Sequence, residues 1–134
     1  MNTKLDPYSF QIISIGNELL NGKTINNNLT WLSESITSLG CEVICGYIIR
    51  DKIDEICNCL EYALSTKSKW IIISGGLGPT YDDITLEAIS KFLSRPLLLN
   101  QDGLNIIKRN YFKLYRNGII TDPAINEHRK KMAI

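Results

Sequence analysis

The 134-residue chain has no long apolar run, no excess of either charge, one histidine and no closely paired cysteines of the C-x-x-C type. Each lack excludes a class of function. A membrane-spanning helix needs roughly 18 or more consecutive apolar residues, and no stretch approaches that length. The first ten residues also lack the apolar core of a secretion signal, so a soluble, cytoplasmic protein is expected. Fifteen Lys and Arg stand against 14 Asp and Glu, a net charge of +1, so no general attraction to nucleic acid or to a membrane surface is expected and any anion binding must be local. The lone His128 builds no Ser/His/Asp arrangement and is expected in a solvated position. Cys41, Cys45, Cys57 and Cys59 are poorly spaced for a shared metal. On a helix Cys57 and Cys59 would point about 200° apart, and buried free thiols are expected.

What is present is ordinary globular material: 44% hydrophobic residues and a mean hydropathy of −0.05, enough for one core in one domain, residues 1–134. After a polar lead-in (1–9), residues 10–15 read as a β-branched strand, and residues 16–22 are turn-rich. Asn26 or Asn27 caps a helix with Leu29, Leu32, Ile36 and Leu39 at helical spacing, ended by Gly40. Residues 41–49 form a second strand. Asp51 is placed to cap a helix whose apolar face is Ile53, Ile56, Leu60 and Leu64. Residues 70–74 are apolar throughout, as in a parallel strand covered on both faces. A helix opened by Thr85 and Glu87 stops at Ser94-Arg95-Pro96. Leu97 to Leu99 form a short strand or an extended connector. A helix over about 101–116 turns Leu104, Ile107, Tyr111 and Leu114 inward, and a last helix is expected within residues 123–134. Strands alternating with helices predict a three-layer α/β/α sandwich with a mostly parallel sheet.

In such sheets ligands sit beyond the carboxyl ends of the strands. Three segments fall there: residues 16–22, Arg50-Asp51 and residues 74–85, Ser-Gly-Gly-Leu-Gly-Pro-Thr-Tyr-Asp-Asp-Ile-Thr. The last is the richest. Gly75, Gly76 and Gly78 allow backbone N–H groups to turn inward on a phosphate, and a helix N-terminus follows. The string lacks the Gly-Lys-Ser/Thr ending of a P-loop and the G-x-G-x-x-G of a dinucleotide fold. Asp82 and Asp83 suit a divalent cation such as Mg²⁺ bridging to phosphate oxygens, or general-base work, or helix capping. Glu18 is a site carboxylate or a solvated one. Asn26, Asn27 and Asn28 are a polar helix start or amides for a base or pterin edge. Arg129-Lys130-Lys131 is a solvated basic face that could reach phosphate.

Two strings, Gly16-Asn-Glu-Leu-Leu-Asn-Gly-Lys-Thr-Ile-Asn-Asn-Asn28 and Ser74 to Thr85, together resemble the molybdopterin-binding (MoaB/MogA-like) domain family, in its branch of competence/damage-inducible CinA proteins. Residues 126–132 resemble that family's later Asn-Arg-Lys segment. The resemblance implies an α/β/α fold, an oligomer (trimer or dimer), and a small phosphorylated pterin or nucleotide as ligand. It implies either a metal-dependent pyrophosphatase acting on ADP-ribose-like diphosphates or a non-catalytic molybdopterin-binding protein of molybdenum cofactor biosynthesis. By position, Gly75, Gly76, Leu77, Gly78 and Thr80 would bind phosphate, with Gly16, Glu18, Asn26, Asn28, Ser74, Pro79 and Thr85 completing the ligand site. Asp51, Asp82 and Asp83 would be catalytic, with Asp82 and Asp83 on the metal. Asn17 stands where the family usually has Thr. The family's final strand pair and Ala-Pro-Gly-type loop are expected to be missing, as is the separate deamidase domain of CinA proteins.

Overall fold

The computed structural model describes residues 6–66 and 68–134; residues 1–5 of the expected polar lead-in lie outside them. Three parallel strands, β1 (Asp6–Ile15), β2 (Glu42–Ile49) and β3 (Ser68–Ser74), form a sheet in the order β2-β1-β3. The first helical turn, α1 (Asn17–Leu20), follows β1 directly, where the sequence predicted only turn residues. Then come α2 (Asn27–Ser38), α3 (Ile53–Ser65), α4 (Thr85–Leu93), α5 (Gln101–Arg116) and α6 (Glu127–Lys131). The expected α/β layering is observed, because alternate residues of parallel strands face opposite sides of the sheet. On one side a Cβ at Gly46 would touch the Leu29 side chain of α2 at 3.1 Å. On the other, Ile13 and Ile15 pack with Ile56, Leu60 and Ala63 of α3 and Ala88 of α4.

Burial on both faces belongs to β1, not to residues 70–74 as the apolar run suggested. Ile12 and Ile13 are fully buried, whereas Trp70 on the edge strand β3 is 51% exposed and stacks on Phe10 with ring centroids 6.1 Å apart. β1 also begins at Asp6, which pairs with Ser68, so residues 6–9 are strand and not lead-in. Backbone pairing is indifferent to side-chain polarity, and hydropathy does not show it.

The α3 face is Ile56, Leu60 and Ala63 at i, i+4 and i+7, with Leu64 turned outward. Under it runs a buried polar chain. Tyr47 Oη donates to Gln11 Oε1 (2.9 Å), and Gln11 Nε2 donates to Ala63 O (2.8 Å) and to Ser68 Oγ. Burial pushes the Tyr47 hydroxyl well above its ordinary range. The cysteines are free, as expected, but half-buried where full burial was expected. Leu97 to Leu99 are an extended connector outside the sheet. α5 and α6 pack on each other, with Arg129 4.1 Å over the Tyr111 ring. No described helix is long and apolar enough to cross a membrane.

Candidate functional site

The strand ends are joined by backbone. Gly16 N–H donates to Ile49 O (3.0 Å), and Asn17 N–H donates to Asp51 Oδ2 (2.9 Å). Asp51 therefore serves the first turn of α1 and does not cap α3, whose capping position is taken by Lys52 without a side-chain bond. The loop after β3 is fixed by close approach. At Gly75 φ is +98°, and a Cβ would fall 1.9 Å from Ile15 O, so only glycine fits. At Gly76 φ is +60°, and a Cβ would lie 2.3 Å from Thr85 Oγ1 and 3.5 Å from Asp51 Oδ1. Thr85 is fully buried at the start of α4 and pins this bend. Its Oγ1 donates to Gly75 O (2.8 Å) and its N–H to Gly76 O (3.2 Å).

The second half of the loop closes on Asp83. Its carboxylate accepts from Thr80 N–H (2.8 Å), from Thr80 Oγ1 (2.5 Å) and from Gly78 N–H. The Thr80 hydroxyl, then these amides and the Lys131 charge, hold the Asp83 carboxyl below the usual carboxylate range against an opposing effect of burial. Two N–H groups of the glycine loop are thereby committed to a side chain of the loop itself. Thr80 Oγ1 is also 2.5 Å from Asp82 Oδ1; it has one proton and donates to one carboxylate at a time. Neither aspartate caps α4, where Ile84 holds the capping position.

Two hollows flank the bend. Asp51, Thr80 and Asp82 line a cavity of about 820 Å³, together with Lys52, His128 and Lys131. Lys131 Nζ also donates to Thr80 O (3.3 Å), which brings the basic end of α6 onto the loop. Glu18, Asn26, Asn28, Ser74 and Gly75 line a recess of about 250 Å³ on the α2 side. Asn26 Oδ1 caps α2 by accepting from Leu29 N–H (3.1 Å), and Asn28 Nδ2 donates to Ser74 Oγ (2.9 Å). Leu77 is half-exposed and lines a shallow hollow that Trp31 also lines, and Pro79 is half-buried. Among the described residues, no group of three or more His, Cys, Asp or Glu side chains is gathered for a metal. Sequence reasoning passed over Ser14, which also lines the recess. The available signal was a hydroxyl inside the apolar run Ile12-Ile13-Ser14-Ile15.

A family model described as a probable molybdopterin binding domain matches residues 11–130. Protein PH0439 of Pyrococcus horikoshii is 42% identical over 123 residues, 92% of this chain and 48% of that protein. Protein LS215_2186 of Saccharolobus islandicus is 42% identical over 129 residues, 96% of this chain and 46% of that protein. The chain thus spans about half the length of the curated relatives it matches. Among solved structures, the protein CinA of unknown function from Thermoplasma acidophilum superposes with a TM-score of 0.80 at 33% identity, covering 94% of this chain and 69% of that one. The molybdopterin biosynthesis enzyme MoaB of Thermus thermophilus, at 20% identity and TM-score 0.61 over 77% of this chain and 63% of its own, shares the fold.

Proposed function

The chain belongs to the probable molybdopterin binding domain family, and from that premise we propose that it binds a phosphorylated pterin or nucleotide across the loop of residues 74–85. The observation that carries this is the Gly75–Gly76 bend. Its two positive φ angles and the clashes any side chain would meet leave bare backbone between the Asp51 carboxylate and the recess at Ser74. A phosphate approaches such a surface closely.

A further part of the proposal is cleavage of a nucleotide diphosphate of the ADP-ribose type with a divalent cation. The donor chemistry is what Mg²⁺ takes: Asp51 and Asp82 are hard oxygen donors that both line the larger cavity, and Mg²⁺ is commonly held by one or two carboxylates plus ligand phosphates, without an all-protein cage. The cation would supply charge neutralisation at the diphosphate. Asp51 and Asp82 would hold it, Asp83 would keep the loop closed, and Lys131 would place positive charge beside Thr80. An oligomer, dimer or trimer, belongs to the same proposal and would cover exposed apolar residues such as Trp31 and Trp70.

The test is incubation with ADP-ribose and Mg²⁺, Mn²⁺ or Co²⁺, assayed for AMP and ribose 5-phosphate. Turnover that Asp82→Asn lowers by about a hundredfold or more supports the hydrolase. Saturable molybdopterin binding without turnover leaves the non-catalytic binding protein. Absence of both overturns the proposal.

A further inference from the structure

The outer face of α5 carries two stripes that the loop chemistry leaves unused. Arg109, Lys113 and Arg116 recur at i, i+4 and i+7, and beside them run Lys108, Phe112 and Tyr115 at the same spacing. All six residues are exposed, whereas Leu104, Ile107, Tyr111 and Leu114 are buried or half-buried on the opposite face. Four cations stand against one acid, Asp102, on this helix, in a chain whose net charge is only +1. Elsewhere Arg50, Lys91, Lys130 and Lys131 each pair with a carboxylate; among the described residues the four cations of α5 pair with none. Lys113 and Arg116 suit the negative end of the helix dipole. Lys108 and Arg109 lie too far from that end to gain from it, and Arg109 repels Lys113 one turn on.

Those two mid-helix cations border two hollows. One, of about 480 Å³, is lined by Lys108, Arg109, Phe112, Asp122, Pro123 and Ala124. The other, of about 640 Å³, is lined by the same two cations with Asp102, Asn105 and Ile106. The wall of residues 122–124 is fixed in place. Arg129 Nη1 donates to Asp122 O (2.8 Å) and to Ala124 O (2.7 Å), and Asp122 Oδ1 accepts from Ala124 N–H (2.8 Å). Neither hollow shares a lining residue with the two beside the glycine loop.

We infer that this face docks an acidic amphipathic segment of a partner protein. An aromatic or branched side chain of that segment would enter the hollow at Phe112 and Pro123. Its carboxylates would meet Lys108 and Arg109, with Lys113 and Arg116 extending the positive field along the helix. Charge complementarity selects the acid, and a concave apolar wall selects a side chain, which a flat bilayer surface does not offer. A nucleic acid strand could use the cations and stack on Phe112, but its phosphates would meet Asp102 and Asp122 in the hollows. A peptide has backbone N–H donors for those carboxylates. Docking here is independent of what the glycine loop binds.

Fluorescence anisotropy of the 134-residue chain with a labelled peptide, Glu-Asp-Phe-Glu-Glu-Leu-Glu-Asp, tests it. The peptide should bind saturably and weaken as NaCl rises from about 50 to 200 mM. Serine in place of its Phe and Leu should cost about tenfold in affinity, the scale of one buried apolar side chain. Reversing Lys108 and Arg109 together to Glu should cost about tenfold or more and flatten the salt dependence, and Phe112→Ala should weaken binding while keeping it. Lys23→Glu with Lys69→Glu changes net charge equally at exposed sites outside α5 and should leave affinity within about twofold. No measurable binding of the peptide overturns the docking surface. So does equal binding of the serine peptide, or a loss as large in the Lys23 and Lys69 reversal. Tighter binding of oligothymidylate, or of phosphatidylserine vesicles, than of the peptide also overturns it.

Discussion

Asp83 does different work from its neighbour Asp82, although the two are adjacent in sequence and chemically identical. Three donors, two of them backbone N–H groups, converge on the Asp83 carboxylate, and Lys131 adds its charge, so the ionised form is favoured in the fold. The stabilisation this gives is present above the ordinary aspartate range, near pH 4, and is lost as pH falls through the depressed folded value. Asp83→Asn should cost about 1 kcal/mol at pH 7, the low end for bonds to a charged group because the carboxylate is partly solvated. Urea unfolding at pH 7 and pH 3 checks this, and the gap between wild type and variant should shrink at the lower pH. Tyr47 shifts the other way. Its neutral hydroxyl donates to the fully buried Gln11 and is favoured by burial, so its stabilisation holds below pH ~10 and fades as pH rises above it. Tyr47→Phe leaves Gln11 Oε1 buried without that donor and should cost ~1–2 kcal/mol by urea unfolding at pH 7. The sequence displayed the aspartate pair plainly, yet could not say which one turns inward. Adjacent loop side chains diverge according to backbone angles that the surrounding fold sets.

At the scale of elements, hydrophobic periodicity located β2, β3 and the long helices α2, α3, α4 and α5, because a 3.6-residue or two-residue repeat is a local property of the chain. It did not locate the centre of the sheet. The order β2-β1-β3 puts the first strand between the later two, and nothing in an apolar run such as residues 71–73 states how many neighbours it will have. The glycine loop was readable for the opposite reason: its residues report a local backbone requirement. That requirement is testable at Gly75, where the loop leaves β3 against the end of β1. A methyl group there would overlap Ile15 O, a backbone atom that cannot swing aside, at a φ that disfavours any side chain. Gly75→Ala should destabilise the chain by ~3 kcal/mol or more and shift the amide resonances of Ile15 and Thr85, the two contacts of the bend. Gly22→Ala, where φ is +72° with open space around it, should cost only ~1 kcal/mol and leave those resonances in place. Thermal unfolding and NMR spectra of the two variants separate close approach from backbone strain.

Taken whole, the molecule brings four chain segments distant in sequence together at the candidate site, so ligand binding there and folding should be coupled. The loop abuts Ile15 O at the end of β1, is tied down by Thr85 of α4, has Asp51 after β2 beside it, and is reached by Lys131 near the C-terminal end. Anything bound across it braces all of these together. With a net charge of +1 there is little long-range attraction, so the gain should come from contacts at the loop. A ligand at about 100 times its Kd would stabilise the fold by about 2.7 kcal/mol. Magnesium behaves differently under the proposed function. Among the described residues no third acidic or imidazole partner is gathered with Asp51 and Asp82, so they would make a weak site by themselves, and phosphate oxygens would complete it. Millimolar Mg²⁺ alone should therefore leave the unfolding midpoint nearly unchanged. ADP-ribose alone should raise it, and the two together should raise it by more than the sum of their separate shifts, since linkage makes each ligand tighten the other. Asp82→Asn should keep the shift from ADP-ribose and lose the excess from Mg²⁺. Differential scanning calorimetry on wild type and variant measures all of these shifts, and a strictly additive result in the wild type would mean that the cation and the phosphates do not share a site.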